Sequence, residues 1–143
     1  MSIWQKGHRL FVVASLLMIL TAIFHTLGQF GPSSGPAETA AINAMKGFHV
    51  DLAFGMRPSI FDVFRGLAFT MSITFVAIAL LNLIIAASAE VTAGLMRRIT
   101  WINIIWVAGF TAMTLAYQAL PAVISGLVIL VFLVASLAAN KKG

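Results

Sequence analysis

Three side chains in this chain of 143 residues combine reactivity with an unusual setting: His25, Asp62 and Arg65. An imidazole near a carboxylate can move protons as general acid and base. A guanidinium offers a planar fork of donors suited to an anionic group. Each residue also has a purely structural use. His25 can bond Tyr117, Gln118 or a backbone carbonyl and hold helices together. Asp62 can complete a cap that starts at Ser59 and pair with Arg65 three residues on. Arg65 can lay its stem along apolar surface and lift its head to lipid headgroups. Spacing alone does not choose among these uses.

Much chemistry is excluded. There is no cysteine, hence no disulfide, thiolate metal site, iron–sulfur cluster or thiol redox step. His8, His25 and His49 do not recur at metal-ligand spacing, and no histidine pair lies within the apolar runs to hold a haem from both sides. Glycine-rich phosphate loops, H-E-x-x-H and G-x-S-x-G are missing. No metal and no cofactor is expected.

The elements that must position these residues are set by composition. The chain is 61% hydrophobic and 9% charged, with mean hydropathy +1.03. Soluble domains carry about 25% charged residues, so this chain cannot cover a water-facing surface and reads as an integral membrane protein. The net charge of +5 sits at the ends of apolar runs, as membrane insertion requires. No arginine-rich patch with interleaved aromatics exists, so nucleic acid is not an expected partner. The expected partners are membrane lipids, with a membrane-protein partner or a second copy of the chain as further possibilities.

Four apolar runs emerge, at about 10–30, 60–88, 99–118 and 122–139, each long enough for ~30 Å of hydrocarbon. A basic start before an apolar run also describes a signal peptide, but no convincing small-x-small cleavage site ends the run. The expectation is an all-α membrane protein: a single domain over 1–143, a bundle of four transmembrane helices, with a short interfacial helix in the first extracytoplasmic loop. That helix is expected at about 36–48, after the breaker Gly31–Pro36, as an amphipathic cover lying on the bundle. An extended return segment follows at 49–59, and Ser59 with Asp62 forms a capping box for the second span. Glu90, Arg97 and Arg98 mark the next connection, and Leu120-Pro121 a tight hairpin.

Basic residues suggest an orientation. Lys6, Arg9, Arg97, Arg98, Lys141 and Lys142 fall on one side, Lys46 and Arg57 on the other, with Arg65 just inside it. By the positive-inside rule both termini are cytoplasmic and the 31–59 loop is extracytoplasmic, in a cell inner membrane.

That topology gathers polar residues in the outer half of the membrane. His25, Gln29, Asp62, Arg65, Thr114, Tyr117 and Gln118 form a candidate ligand-binding pocket opening under the 31–59 loop, with Ser125 nearby. The inner half offers Ser15, Asn82 and Asn103, read as interhelical glue. Helical spacing suggests inward stripes: Thr21–His25–Gln29 on the first span, Asp62–Gly66–Thr70–Thr74 on the second, and Asn103–Trp106–Phe110–Met113–Tyr117 on the third. Gly66 would permit close helix approach, and Met18, Met71 and Met113 would fill the core.

His25-x-x-Gly28 ends the first helix, and Gly55-x-x-x-Ser59-x-x-Asp62-x-x-x-Gly66 opens the second. In this layout the chain resembles small bacterial four-helix integral membrane proteins of unknown function, and the likeness implies a four-helix bundle without implying an activity. Three functional readings stand beside it. One is an accessory subunit, or a module binding lipid or a small molecule. Another is a membrane enzyme on an amphipathic substrate, with His25 as acid and base, Asp62 orienting it and Arg65 holding an anionic headgroup. The last is a small proton-coupled carrier using His25.

Overall fold

The computed structural model describes residues 3–116 and 119–139. The chain is an all-α membrane protein, with five α-helices among the described residues: α1 (Ile3–Gly28), α2 (Pro36–Gly47), α3 (Ile60–Ala87), α4 (Ala93–Ala116) and α5 (Leu120–Ala139). Four of them, α1, α3, α4 and α5, are long and apolar enough to cross a membrane, over Lys6–Gly28, Ile60–Ala87, Ala93–Ala116 and Leu120–Ala139. At 1.5 Å per residue the shortest reaches about 30 Å, the thickness of the hydrocarbon.

Contacts within the chain fall into two compact units. One joins the described residues up to Thr21 with those from Phe75 onward; the other is Ala22–Thr74.

The first unit is built on buried residues three and four apart. On α3 the buried positions are Ala68, Ser72, Phe75, Ala79, Asn82 and Ala86, of which the last four belong to this unit. On α4 they are Met96, Thr100, Asn103, Val107 and Thr111. This 3-4 alternation is the spacing of a seam between helices. Small residues bring backbones together: a Cβ at Gly126 on α5 would collide with the Thr111 hydroxyl of α4. Gly66, where close approach was expected, has open space around it instead. Phe75 is enclosed by Trp106 and Phe110, with ring centroids 4.6 and 4.9 Å away in edge-on geometry. Ser136 of α5 donates to the Gly7 carbonyl of α1 at 2.7 Å.

Within this core Asn82 and Asn103 pair reciprocally. Asn82 Nδ2 donates to Asn103 Oδ1 at 2.8 Å, and Asn103 Nδ2 donates to Asn82 Oδ1 at 3.1 Å. The remaining donors turn to the Ile99 carbonyl at 2.9 Å and to the Met18 sulfur at 4.0 Å. Every polar atom of both amides therefore has a partner, as burial demands.

Helix α4 starts earlier than the apolar run suggests. Thr92 accepts from Leu95 N–H at 3.2 Å through its hydroxyl and from Met96 N–H at 3.0 Å through its carbonyl. This cap starts the helix before Arg97 and Arg98, so both are exposed helical residues and not part of the connection.

The second unit holds the end of α1, the α2 segment and the start of α3. At the head of α2, Ser34 donates both its N–H and its hydroxyl to Glu38, each at 2.5 Å. These two bonds, the hydroxyl's first, hold the Glu38 carboxyl below its ordinary pKa. Helix α2 buries no residue; its alanine-rich faces offer little side chain to bury.

The 49–59 segment is a small hairpin where a simple extended return was expected. Val50 N–H donates to the Pro58 carbonyl, Leu52 N–H to Met56 and Ile60 N–H to Phe48, at 3.1, 2.9 and 2.8 Å. Its turn is Ala53–Gly55, with Phe54 at φ 61° and Gly55 at φ 73°. Glycine takes this left-handed conformation freely; a phenylalanine there costs about 1 kcal/mol or more. Asp51 and Arg57 close an ion pair of 2.6 Å across the hairpin.

Candidate functional site

The site is best built from α3 upward. Ser59 and Asp62 cap it reciprocally: Asp62 N–H donates to Ser59 Oγ at 3.1 Å, while Asp62 Oδ2 accepts from Ser59 N–H at 3.1 Å and from its hydroxyl at 2.6 Å. This is the capping box that the spacing predicts. It engages the carboxylate that would otherwise turn to His25 or Arg65. Among the described residues no hydrogen bond joins Asp62 to His25, and the ion pair is Asp51–Arg57 and not Asp62–Arg65.

Burial along the helix shows which way it faces. Asp62, Gly66 and Thr70 are exposed and Thr74 is half-buried, so the expected inward stripe faces outward over most of its length. Its hydroxyls are satisfied locally, Thr70 on the Gly66 carbonyl at 2.9 Å and Thr74 on Thr70 at 2.8 Å. A hydroxyl bonded this way can face lipid without an unpaired donor. The covered stripe lies one residue back, at Phe61, Arg65 and Phe69, spaced i, i+4, i+8 and half-buried, beside buried Ala68 and Ser72.

Arg65 is therefore held among aromatic rings. Its guanidinium carbon is 5.2 Å from the centroid of Phe30, and 5.6 Å from those of Phe61 and Phe69. Phe30 and Phe69 are themselves 5.8 Å apart. All three distances are within the reach of cation–π attraction. Lys46 at the end of α2 lies over the same Phe61 ring at 5.1 Å. Two cations thus share one aromatic platform, and among the described residues no carboxylate forms an ion pair with either. Arg65 Nε is buried and has no hydrogen-bond partner among the described residues.

His25 approaches the same stretch of α3, where its ring interacts with the backbone of Ala68. Its Nε2 is buried and has no hydrogen-bond partner among the described residues. Thr21, His25 and Gln29 are all half-buried, so this stripe is neither fully inside nor fully outside. The Gln29 backbone N–H bonds the Thr26 carbonyl at 3.1 Å.

The structure thus brings His25 and Arg65 to one end of α3, with Asp62 on that helix but turned out to its cap. Thr114 belongs to the other compact unit, where its hydroxyl donates to the Thr111 carbonyl at 3.0 Å. Tyr117 and Gln118 lie outside the described residues. On α4, Asn103 is buried, Trp106 and Phe110 are half-buried and Met113 is 58% exposed, which removes Met113 from the core that Met18 helps to fill. No three His, Asp or Glu side chains gather to hold a metal ion among the described residues.

The phenylalanines around Arg65 were not anticipated as site residues. The signal for two of them was present in the spacing Phe61-x-x-x-Arg65-x-x-x-Phe69; Phe30 enters from the end of the α1 segment and has no local signal. Set against known proteins, the chain matches no protein-family model, no curated protein and no solved structure.

Proposed function

We propose that this protein is a small lipid-binding module or accessory subunit of a bacterial inner membrane, and that its site takes the anionic headgroup of a membrane lipid. The observation that carries this reading is Arg65: a guanidinium laid among three phenylalanines, with no carboxylate in ion-pair contact among the described residues and with a second cation, Lys46, on the shared Phe61 ring. Lys46 adds a second positive charge against the Phe61 ring, so the site favours an anion over a neutral group. A phosphate group fits, because guanidinium donors match its oxygens bidentately. The rings would meet the acyl chains of the same lipid. The basic residues at the chain termini and on α4 support an orientation with both termini cytoplasmic and the 31–59 loop outside. The resemblance to small bacterial four-helix membrane proteins is in keeping with this reading.

Native mass spectrometry of the gently extracted protein tests it. The wild type is expected to retain phosphatidylglycerol in preference to phosphatidylcholine. Arg65→Met, which keeps a flexible apolar side chain among the rings, should lose that preference about tenfold, the loss of one charged hydrogen-bonded contact of ~1.4 kcal/mol. Equal retention of both lipids by the wild type would sink the proposal. The enzyme and carrier readings both depend on His25, whose free Nε2 could meet a ligand. Turnover of a lipid substrate, or pH-dependent flux in proteoliposomes, abolished by His25→Ala in a folded protein would displace the binding reading.

A further inference from the structure

The hairpin at 49–59 carries an apolar tip that the headgroup site does not use. Phe54 is 98% exposed, and Phe48, Leu52 and Met56 are 62, 48 and 54% exposed. Isolated exposed apolar residues need no explanation, but this group shares one small element and includes a strained residue. Phe54 holds φ 61° where glycine or asparagine would sit with less strain. The turn thus accepts a backbone penalty while presenting a bare aromatic ring.

The fold limits where that ring can be. Ile60 N–H bonds the Phe48 carbonyl, so the hairpin begins at the first residue of a membrane-crossing helix. Five residues lie between Phe54 and Ile60, a reach of at most about 20 Å over six Cα steps. The tip is therefore never far from the bilayer surface. Its backbone is suited to entering that surface, because Val50, Leu52 and Ile60 donate to Pro58, Met56 and Phe48 within the hairpin. Its charges are suited as well, since Asp51 and Arg57 cancel in an ion pair. An acidic or basic protein partner would find no net charge to match on the hairpin.

We infer that the hairpin is a membrane-inserted anchor: Phe54, flanked by Leu52 and Met56, dips into the interface of the bilayer that α1 and α3 cross. It thereby holds the 31–59 connection down on the lipid surface. Insertion of apolar side chains to about 5–10 Å is the depth at which interfacial elements rest. The inference rests on the four spans and the hairpin alone, and is independent of the headgroup site.

The absence of cysteine makes the test direct, because one introduced cysteine carries one label. Ala53→Cys, with Phe54 intact, is labelled with a nitroxide and the full chain is reconstituted in vesicles of phosphatidylcholine and phosphatidylglycerol. Collision with oxygen, which partitions into lipid, is compared with collision with a water-soluble nickel chelate. Glu90→Cys in the α3–α4 connection serves as the water reference, and Leu67→Cys on the exposed face of α3 as the lipid reference. The oxygen-to-nickel ratio at Ala53 should lie several-fold above that at Glu90 and below that at Leu67. Adding Phe54→Asp should return it to the Glu90 value. Adding Phe54→Gly, which relieves the left-handed strain, should also lower it without lowering the thermal unfolding temperature. A ratio at Ala53 equal to that at Glu90, or one indifferent to Phe54→Asp, overturns the inference. So does a label shielded from both reagents, which would place the tip against protein.

Discussion

The Asn82–Asn103 pair and the Arg65 cradle are both polar features of a largely apolar molecule, and they are finished differently. Each donor of the two asparagines meets an acceptor, down to the Met18 sulfur and the Ile99 carbonyl. Arg65 has rings around it, and among the described residues neither its buried Nε nor the buried His25 Nε2 has a hydrogen-bond partner. Buried polar groups left with spare capacity are uncommon in folded proteins. A saturated pair has a structural role to lose. A group with spare donors has room for a ligand. The comparison separates glue from site more sharply than residue type does, since arginine and asparagine both serve either role elsewhere.

If that division holds, substitutions in the first unit should lower stability and leave lipid retention alone. The largest effect is expected at Gly126→Ala, whose new methyl meets the Thr111 hydroxyl. Overpacking of this kind costs about 1–3 kcal/mol, readable by denaturant titration in mixed micelles, and Thr111→Ala should recover part of it. Next comes Asn103→Leu, which strands the Asn82 amide and should cost about 1–2 kcal/mol. The double variant Asn82→Leu with Asn103→Leu should lose less than the two single losses added; strict additivity would show that the amides do not act as a pair. Arg65→Met should move stability by less than about 1 kcal/mol while cutting the lipid preference about tenfold. A large stability loss there would erase the distinction between the two regions.

The smallest effect lies at the head of α2. Ser34 holds the Glu38 carboxyl below its ordinary value of 4.5. A depressed carboxylate contributes stability that is present above its unfolded value and lost as pH falls through the folded one. The Ser34–Glu38 contact should therefore survive mild acid and open only below the usual glutamate range. The Ser34 amide shift in an NMR titration would report it, and a midpoint at or above 4.5 would count against the contact.

The four crossings were legible because long apolar runs bounded by charge have few alternative folds in lipid. The cap at Ser59–Asp62 was legible because it is local. The facing of α3 was not. Asp62, Gly66, Thr70 and Thr74 looked like an interior stripe on the premise that polar groups avoid lipid, but Thr70 and Thr74 satisfy themselves on their own helix. The covered stripe, Phe61, Arg65 and Phe69, lies one residue and about 100° away, and its two phenylalanines look lipid-facing by composition. The Thr92 cap is a weak signal in the sequence beside the charges of Arg97 and Arg98, which suggest a connection. The 49–59 hairpin gave no warning, since its turn lacks the asparagine–glycine signature and uses a phenylalanine in glycine's conformation.

The reciprocal bonding of Asn82 and Asn103 also bears on how the chain is put together. Helices enter a bilayer one after another and then must find their neighbours. Two smooth apolar surfaces can slide by a helical turn at little loss. With one amide on each, a slip of one turn displaces the partners by about 5.4 Å and strands both at once. The pair thus acts as a detent during assembly: α3 and α4 click into a single alignment, and a newly inserted hairpin that has not found it is marked by two unpaired amides in lipid.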